Sequence, residues 1–208
     1  MPSAPLPDAA AFAALPSGEF AALAARTDPA RAELVALRWR FRDPESEVSG
    51  RGAVRLSPPD SLRLDVRGPL GFGHGTLVMA GAETWADPED VVRQVLPRRY
   101  LLWAMLGVVR APEDVRRIDA AEAAGRRFVR VAAADSESAV FELRGDTLAG
   151  LVVMREERVV GRLTLTRDRG GAIAHAEAED LERHARLTFD IQSRTPGVAF
   201  PPEVWRHP

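Results

Sequence analysis

The chain has 208 residues, enough for one domain with a sizeable core, and its 46% apolar and 28% charged residues mark a folded chain rather than a disordered one. A formal net charge of −2 creates no overall field for nucleic acid or an anionic membrane, and the absence of cysteine excludes disulfides and thiolate metal sites. His74, His175, His184 and His207 are far apart and none has the spacing of a metal-ligand pair, so a zinc enzyme is not expected. All 28 basic residues are arginine, a compositional bias with little functional weight.

Met1 to Pro7 is Pro-rich and lacks the basic start and apolar run of a signal peptide. The longest apolar run, Leu101 to Val109, is about half of what a membrane-spanning helix needs. Two readings stay open: a cytosolic chain, or one whose targeting segment is absent. Residues 1–9 read as a flexible tail. Ala10 to Ala25 reads as helix interrupted near Pro16–Ser17–Gly18, with Phe12, Leu15, Phe20 and Leu23 as one apolar stripe.

From Leu34 the period changes to two. Val35, Leu37, Trp39 and Phe41 alternate with Arg38, Arg40 and Arg42, as a half-buried strand requires. Turns at Asp43–Ser46, Pro58–Ser61 and Gly68–Gly71 separate strands carrying Val54 and Leu56, then Leu62, Leu64 and Val66, then Leu77 and Met79. An insert at about 88–111 follows. Asp87–Pro88–Glu89–Asp90 opens one helix, and Arg98 to Val109 reads as a second, apolar on nearly all sides.

Strand patterns resume over 126–132, 139–143, 148–154, 159–166, 173–179 and 187–191, with Val115 to Ala121 as one more candidate. The fold class is therefore mainly β with a few helices: an antiparallel sheet of roughly ten or eleven strands, curled into an unclosed half-barrel with a helical lid. Residues 10–195 form a single domain, and 196–208 a C-terminal tail.

The sharper chemical readings fail. Gly71–Phe72–Gly73–His74–Gly75 precedes a strand, whereas a phosphate loop precedes a helix. No Gly-x-Ser-x-Gly elbow exists. Glu177, Glu179, Asp180 and Glu182 could hold a hard cation, but a solvated strand edge is the plainer reading. Arg38, Arg40, Arg51, Arg55, Arg63 and Arg67 are interspersed with Glu45, Glu47, Asp60 and Asp65, and read as a mixed-charge outer face. No catalytic residue, metal ligand or cofactor is expected.

The order of these motifs resembles the bacterial LolA/LolB superfamily. The resemblance rests on an N-terminal helix followed by Leu37–Arg38–Trp39–Arg40–Phe41, Gly50–Arg51–Gly52, Pro58–Pro59–Asp60–Ser61–Leu62–Arg63–Leu64 and Gly68–Pro69–Leu70–Gly71. Leu96–Pro97 and Leu102–Trp103–Ala104–Met105–Leu106–Gly107 complete it. It implies a lipid-binding half-barrel that serves as a lipoprotein carrier or outer-membrane lipoprotein receptor, a monomer in the periplasm or at the periplasmic face of the outer membrane. Its partners would be acyl chains of lipids or lipoproteins, a periplasmic carrier protein and the outer-membrane surface, with no nucleic acid. The expected cavity wall is Val35, Leu37, Trp39, Val54, Leu56, Leu62, Leu64, Val66, Leu77 and Met79, with Leu102 and Met105 on the lid. Leu70, with Phe72 beside it, matches the apolar residue of the receptor's membrane-touching loop; the other reading is that Leu70 tucks under the barrel rim. The receptor's anchoring cysteine and the carrier's arginine before the first turn proline have no counterpart, since Ser57 precedes Pro58. Two other readings stand: a non-catalytic envelope interaction module with a self-filled core, and an enzyme on the same scaffold.

Overall fold

A computed structural model describes residues 5–68, 74–89, 96, 98–134 and 136–206. In chain order the elements are β1 (Ala13–Ala14), α1 (Ser17–Thr27), β2 (Glu33–Arg42), β3 (Glu47–Ser57), β4 (Ser61–Arg67), β5 (His74–Ala80), β6 (Glu83–Asp87) and α2 (Arg99–Met105). They continue as β7 (Arg117–Ala123), β8 (Arg126–Ala132), β9 (Glu137–Arg144), β10 (Thr147–Arg155), β11 (Arg158–Arg167), β12 (Ile173–Asp180) and β13 (Ala185–Pro196). Short 3-10 turns lie at Ala9–Ala11 and Pro202–Trp205.

The fold is mainly β, in antiparallel sheet that does not close, with thirteen strands among the described residues rather than ten or eleven. The two additional strands are β1 and β6. β6 reads Glu-Thr-Trp-Ala-Asp and is mostly solvent-facing, so it has no apolar alternation to show. β1 is only two residues long.

Two compact units share the chain: Met1–Thr27 with Arg98–Ala185, and Asp28–Pro97 with Arg186–Pro208. In the first, the strand order is β1-β7-β8-β9-β10-β11-β12. Its core holds Val129, Phe141, Leu143, Leu148 and Leu151 on one face of the strands, while Phe128 joins Val140 and Val152 in a separate cluster. α1 lays Phe20 on this core, its ring 6.3 Å from that of Phe141. α2 packs against β10, β11 and β12.

In the second unit the order is β13-β2-β3-β4-β5-β6. The β2–β3 turn is set by Asp43, whose Oδ1 accepts from the amides of Glu45 (2.9 Å) and Ser46 (2.6 Å). The Pro202–Trp205 turn packs on β4 and β5, where Arg63 Nη1 donates to the Val204 carbonyl at 3.0 Å.

The expected helix over Ala10 to Ala25 is corrected. Proline biases the residue before it toward extended backbone, so Leu15 leaves the helical path ahead of Pro16. Its amide instead donates to the Ile118 carbonyl at 2.9 Å, alongside β1. The helix begins only at Ser17, where the Pro16 carbonyl accepts from Glu19 at 3.0 Å.

The second expected helix, Arg98 to Val109, is shorter, Arg99–Met105. It ends because Gly107 takes φ 90°. The Gly107 amide then donates to the Ala104 carbonyl at 2.9 Å and that of Val108 to Trp103 at 3.1 Å, the paired bonds of a Schellman stop. The helix expected to open at Asp87–Pro88–Glu89–Asp90 falls largely outside the described residues.

Candidate functional site

The strongest candidate surface is one face of the sheet in the second unit. Strand alternation puts Val35, Leu37 and Trp39 of β2 on the same side as Val54 and Leu56 of β3, Leu62 and Leu64 of β4, and Leu77 and Met79 of β5. The register then aligns them in cross-strand rows. Val35, Val54, Leu64 and Leu77 form one row, and Leu56, Leu62 and Met79 the next. Leu37 is opposite Gly52, which is opposite Val66.

All of these residues are buried except Gly52 and Val66, which are half-buried. So nine of the ten expected wall residues are solvent-excluded on one face. Trp39 lies opposite Gly50 and its Nε1 donates to the Arg51 carbonyl at 3.3 Å. A Cβ at Gly50 would run into the Arg67 carbonyl, so only glycine lets β4 come this close.

The face extends beyond the expected set. Phe189 of β13 pairs with Trp39, and Leu187 with Phe41; all four are buried. The two-residue period of 187–191 carried this signal, but which strand neighbours β2 is a matter of long-range pairing. Two charges lie on the face, paired at its margin: buried Glu33 of β2 and Arg194 of β13, in register with Val35, 3.0 Å apart. Among the described residues the rest of the face on β2 to β5 carries apolar side chains and glycine, and its one polar group, the Trp39 indole N–H, is engaged by the Arg51 carbonyl.

Leu102 and Met105, the expected lid residues, belong to α2 in the other unit and are fully buried there. Leu70 and Phe72 lie outside the described residues.

The first turn of α2 is tied down by a polar cluster that sequence reasoning missed. Tyr100 donates to Glu137 Oε1 at 2.7 Å, and Arg98 Nη2 meets Oε2 at 2.6 Å. Arg155 Nη2 stands 3.6 Å from the same oxygen. Glu137 is almost wholly buried and borders a cavity of about 380 Å³, also lined by Arg98, Arg99, Tyr100, Pro112 and Asp114. A carboxylate neutralised in this way anchors a helix. Nothing in the sequence links Glu137 to Tyr100, because 37 residues separate them.

Two further carboxylates organise the strands. Burial pushes the Asp119 carboxyl up, but hydrogen bonds from Arg130 and Arg117 and their charges outweigh it and hold it below the ordinary value. Asp65 behaves alike: burial raises it, while Arg63, Thr76 and Arg55 together bring it below. Among the described residues, no group of three or more His, Asp and Glu is placed to hold a metal ion. No described helix is long and apolar enough to cross a membrane.

No protein-family model and no curated protein sequence matches the chain. Solved structures do. A LolA superfamily protein from Nitrosomonas europaea superposes with TM-score 0.59 at 12% identity, covering 93% of this chain and 99% of its own. A domain from Vibrio parahaemolyticus described as an outer-membrane lipoprotein-sorting protein gives 0.59 at 9% identity, covering 89% and 94%. A DUF1329 family protein from Desulfovibrio piger gives 0.50 at 10%, covering 92% and 98%. The open antiparallel sheet, the described helices and superpositions that cover 89–93% of the chain agree: the chain has the LolA/LolB-like fold.

Proposed function

We propose that this protein binds lipid acyl chains on the apolar face of β2 to β5, as a lipoprotein carrier or receptor in the periplasm or at the periplasmic side of the outer membrane. The observation that carries the reading is the face itself: four consecutive strands bearing only apolar side chains and glycine, apart from Glu33 at the margin. The described likeness to a lipoprotein-sorting domain supports the same reading. Each buried methylene contributes about 0.8 kcal/mol, so a fifteen-carbon chain offers about 12 kcal/mol before association costs. No cofactor or catalytic group is needed for this, and binding rather than catalysis is the role proposed.

The test is native mass spectrometry of the purified protein, followed by displacement of a fluorescent fatty acid. Micromolar displacement, weakened by Leu64→Arg and by Val66→Trp in variants whose circular dichroism is unchanged, would support acyl binding. Absence of co-purified lipid together with absence of displacement would refute it.

A further inference from the structure

The opposite face of the same sheet carries an arrangement that strands normally avoid. Arg38 of β2 is directly opposite Arg51 of β3, Arg51 is opposite Arg67 of β4, and Arg67 is opposite His74 of β5. All four side chains are exposed. Neighbouring strands lie about 4.8 Å apart, so the row spans ~14 Å. Like charges directly opposite each other repel and destabilise the pairing.

The neighbouring arginines show how the rest of this face deals with its charge. Asp65 takes Arg55 and Arg63, and Glu47 takes Arg40 and Arg42. The sequence pattern alone reads as a mixed-charge surface, and for those four arginines it is one. Arg38, Arg51 and Arg67 make no ion pair among the described residues. A carboxylate in register with the row, that of Asp190, stands at its end beyond Arg38. On this face of β2 to β4, the arginines that make no ion pair among the described residues therefore stand in one cross-strand line, with Asp190 opposite Arg38 at its end.

We propose that the Arg38–Arg51–Arg67–His74 row is a docking surface for anionic phospholipid headgroups, bringing this face of the sheet onto a membrane. The choice of a membrane rests on the acyl-binding reading; the choice of an anionic partner rests on the row alone. Guanidinium forks pair phosphate oxygens two at a time, and three of them abreast match a planar array of phosphates. The repulsion within the row is relieved when phosphate neutralises it.

The test is flotation with vesicles of phosphatidylcholine alone or with about one-third phosphatidylglycerol, at low and high salt. The wild type floats with the anionic vesicles and leaves them as salt rises. Arg38→Gln/Arg51→Gln/Arg67→Gln lowers partitioning ~100-fold, as expected for three lost surface cations. Arg144→Gln/Arg158→Gln/Arg169→Gln removes the same charge from exposed positions in the other unit and leaves partitioning within a few-fold. Equal losses in the two triple variants would overturn the proposal, reducing the effect to net charge. Binding to neutral vesicles as strong as to anionic ones, or no flotation at all, would overturn it too; the latter would direct attention to an acidic protein partner. Fatty-acid displacement without vesicles separates this from acyl binding: flotation retained by a wild type that carries no co-purified lipid and displaces nothing would sustain the docking surface and refute the acyl site.

Discussion

Replacing Asp119 by asparagine tests how the first unit holds its β1 edge. Asp119 is 1% exposed on β7 and accepts from Arg117 Nε at 2.7 Å and from Arg130 Nη2 and Nε at 2.9 and 3.2 Å. The Arg130 guanidinium in turn covers the Phe12 ring at 4.4 Å, and Ala14 of β1 pairs with Asp119 itself. Breaking a buried charge pair costs about 3–5 kcal/mol, because a charge is stranded. Here the stranded cations keep some water, since Arg117 is 63% exposed and Arg130 23%. The expected loss for Asp119→Asn is therefore lower, about 2 kcal/mol at neutral pH.

The pH dependence follows from the lowered carboxyl. A carboxylate whose folded pKa lies below its unfolded value stabilises the fold above about pH 4 and loses that contribution as pH falls through the folded value. Asparagine does not titrate. The gap between wild type and variant should be full at neutral pH and shrink below about pH 4. Urea unfolding followed by circular dichroism across this range measures it, with hydrogen exchange at β7 and β8 confirming that the loss is local. A gap independent of pH, or one under about 0.5 kcal/mol at neutrality, would refute the argument.

Other expectations concern α2. Tyr100→Phe removes the 2.7 Å hydrogen bond to buried Glu137 and should cost about 1–3 kcal/mol in urea unfolding, with faster exchange of the first amides of the helix. Gly107→Ala should cost at least ~1 kcal/mol by thermal or urea unfolding, because the residue sits at φ 90° and a Cβ would stand 2.7 Å from Ile173 Cδ1. Trimming Ile173 to valine should return part of that loss, leaving only the backbone strain.

Local patterning determined much of this protein. The two-residue period set the faces of β2 to β5 and so which nine of their apolar side chains share one buried side, because which side a strand residue faces depends only on its parity. The same period located β8 to β13 to within a few residues. Phe12 and Leu15 misled because their spacing fits a helical stripe, while Pro16 forces the chain straight and into pairing with β7. β6 stayed hidden because an edge strand facing solvent needs no alternation. Tertiary structure alone decided the rest. Residues 1–27 join 98–185, across some seventy residues of intervening chain, to make one unit. Glu137 meets Tyr100 across two elements that share no local signal. Parity showed that Arg38, Arg51 and Arg67 face outward, but only the hydrogen-bonded register between strands, with Gly50 admitting the Arg67 backbone, set them abreast.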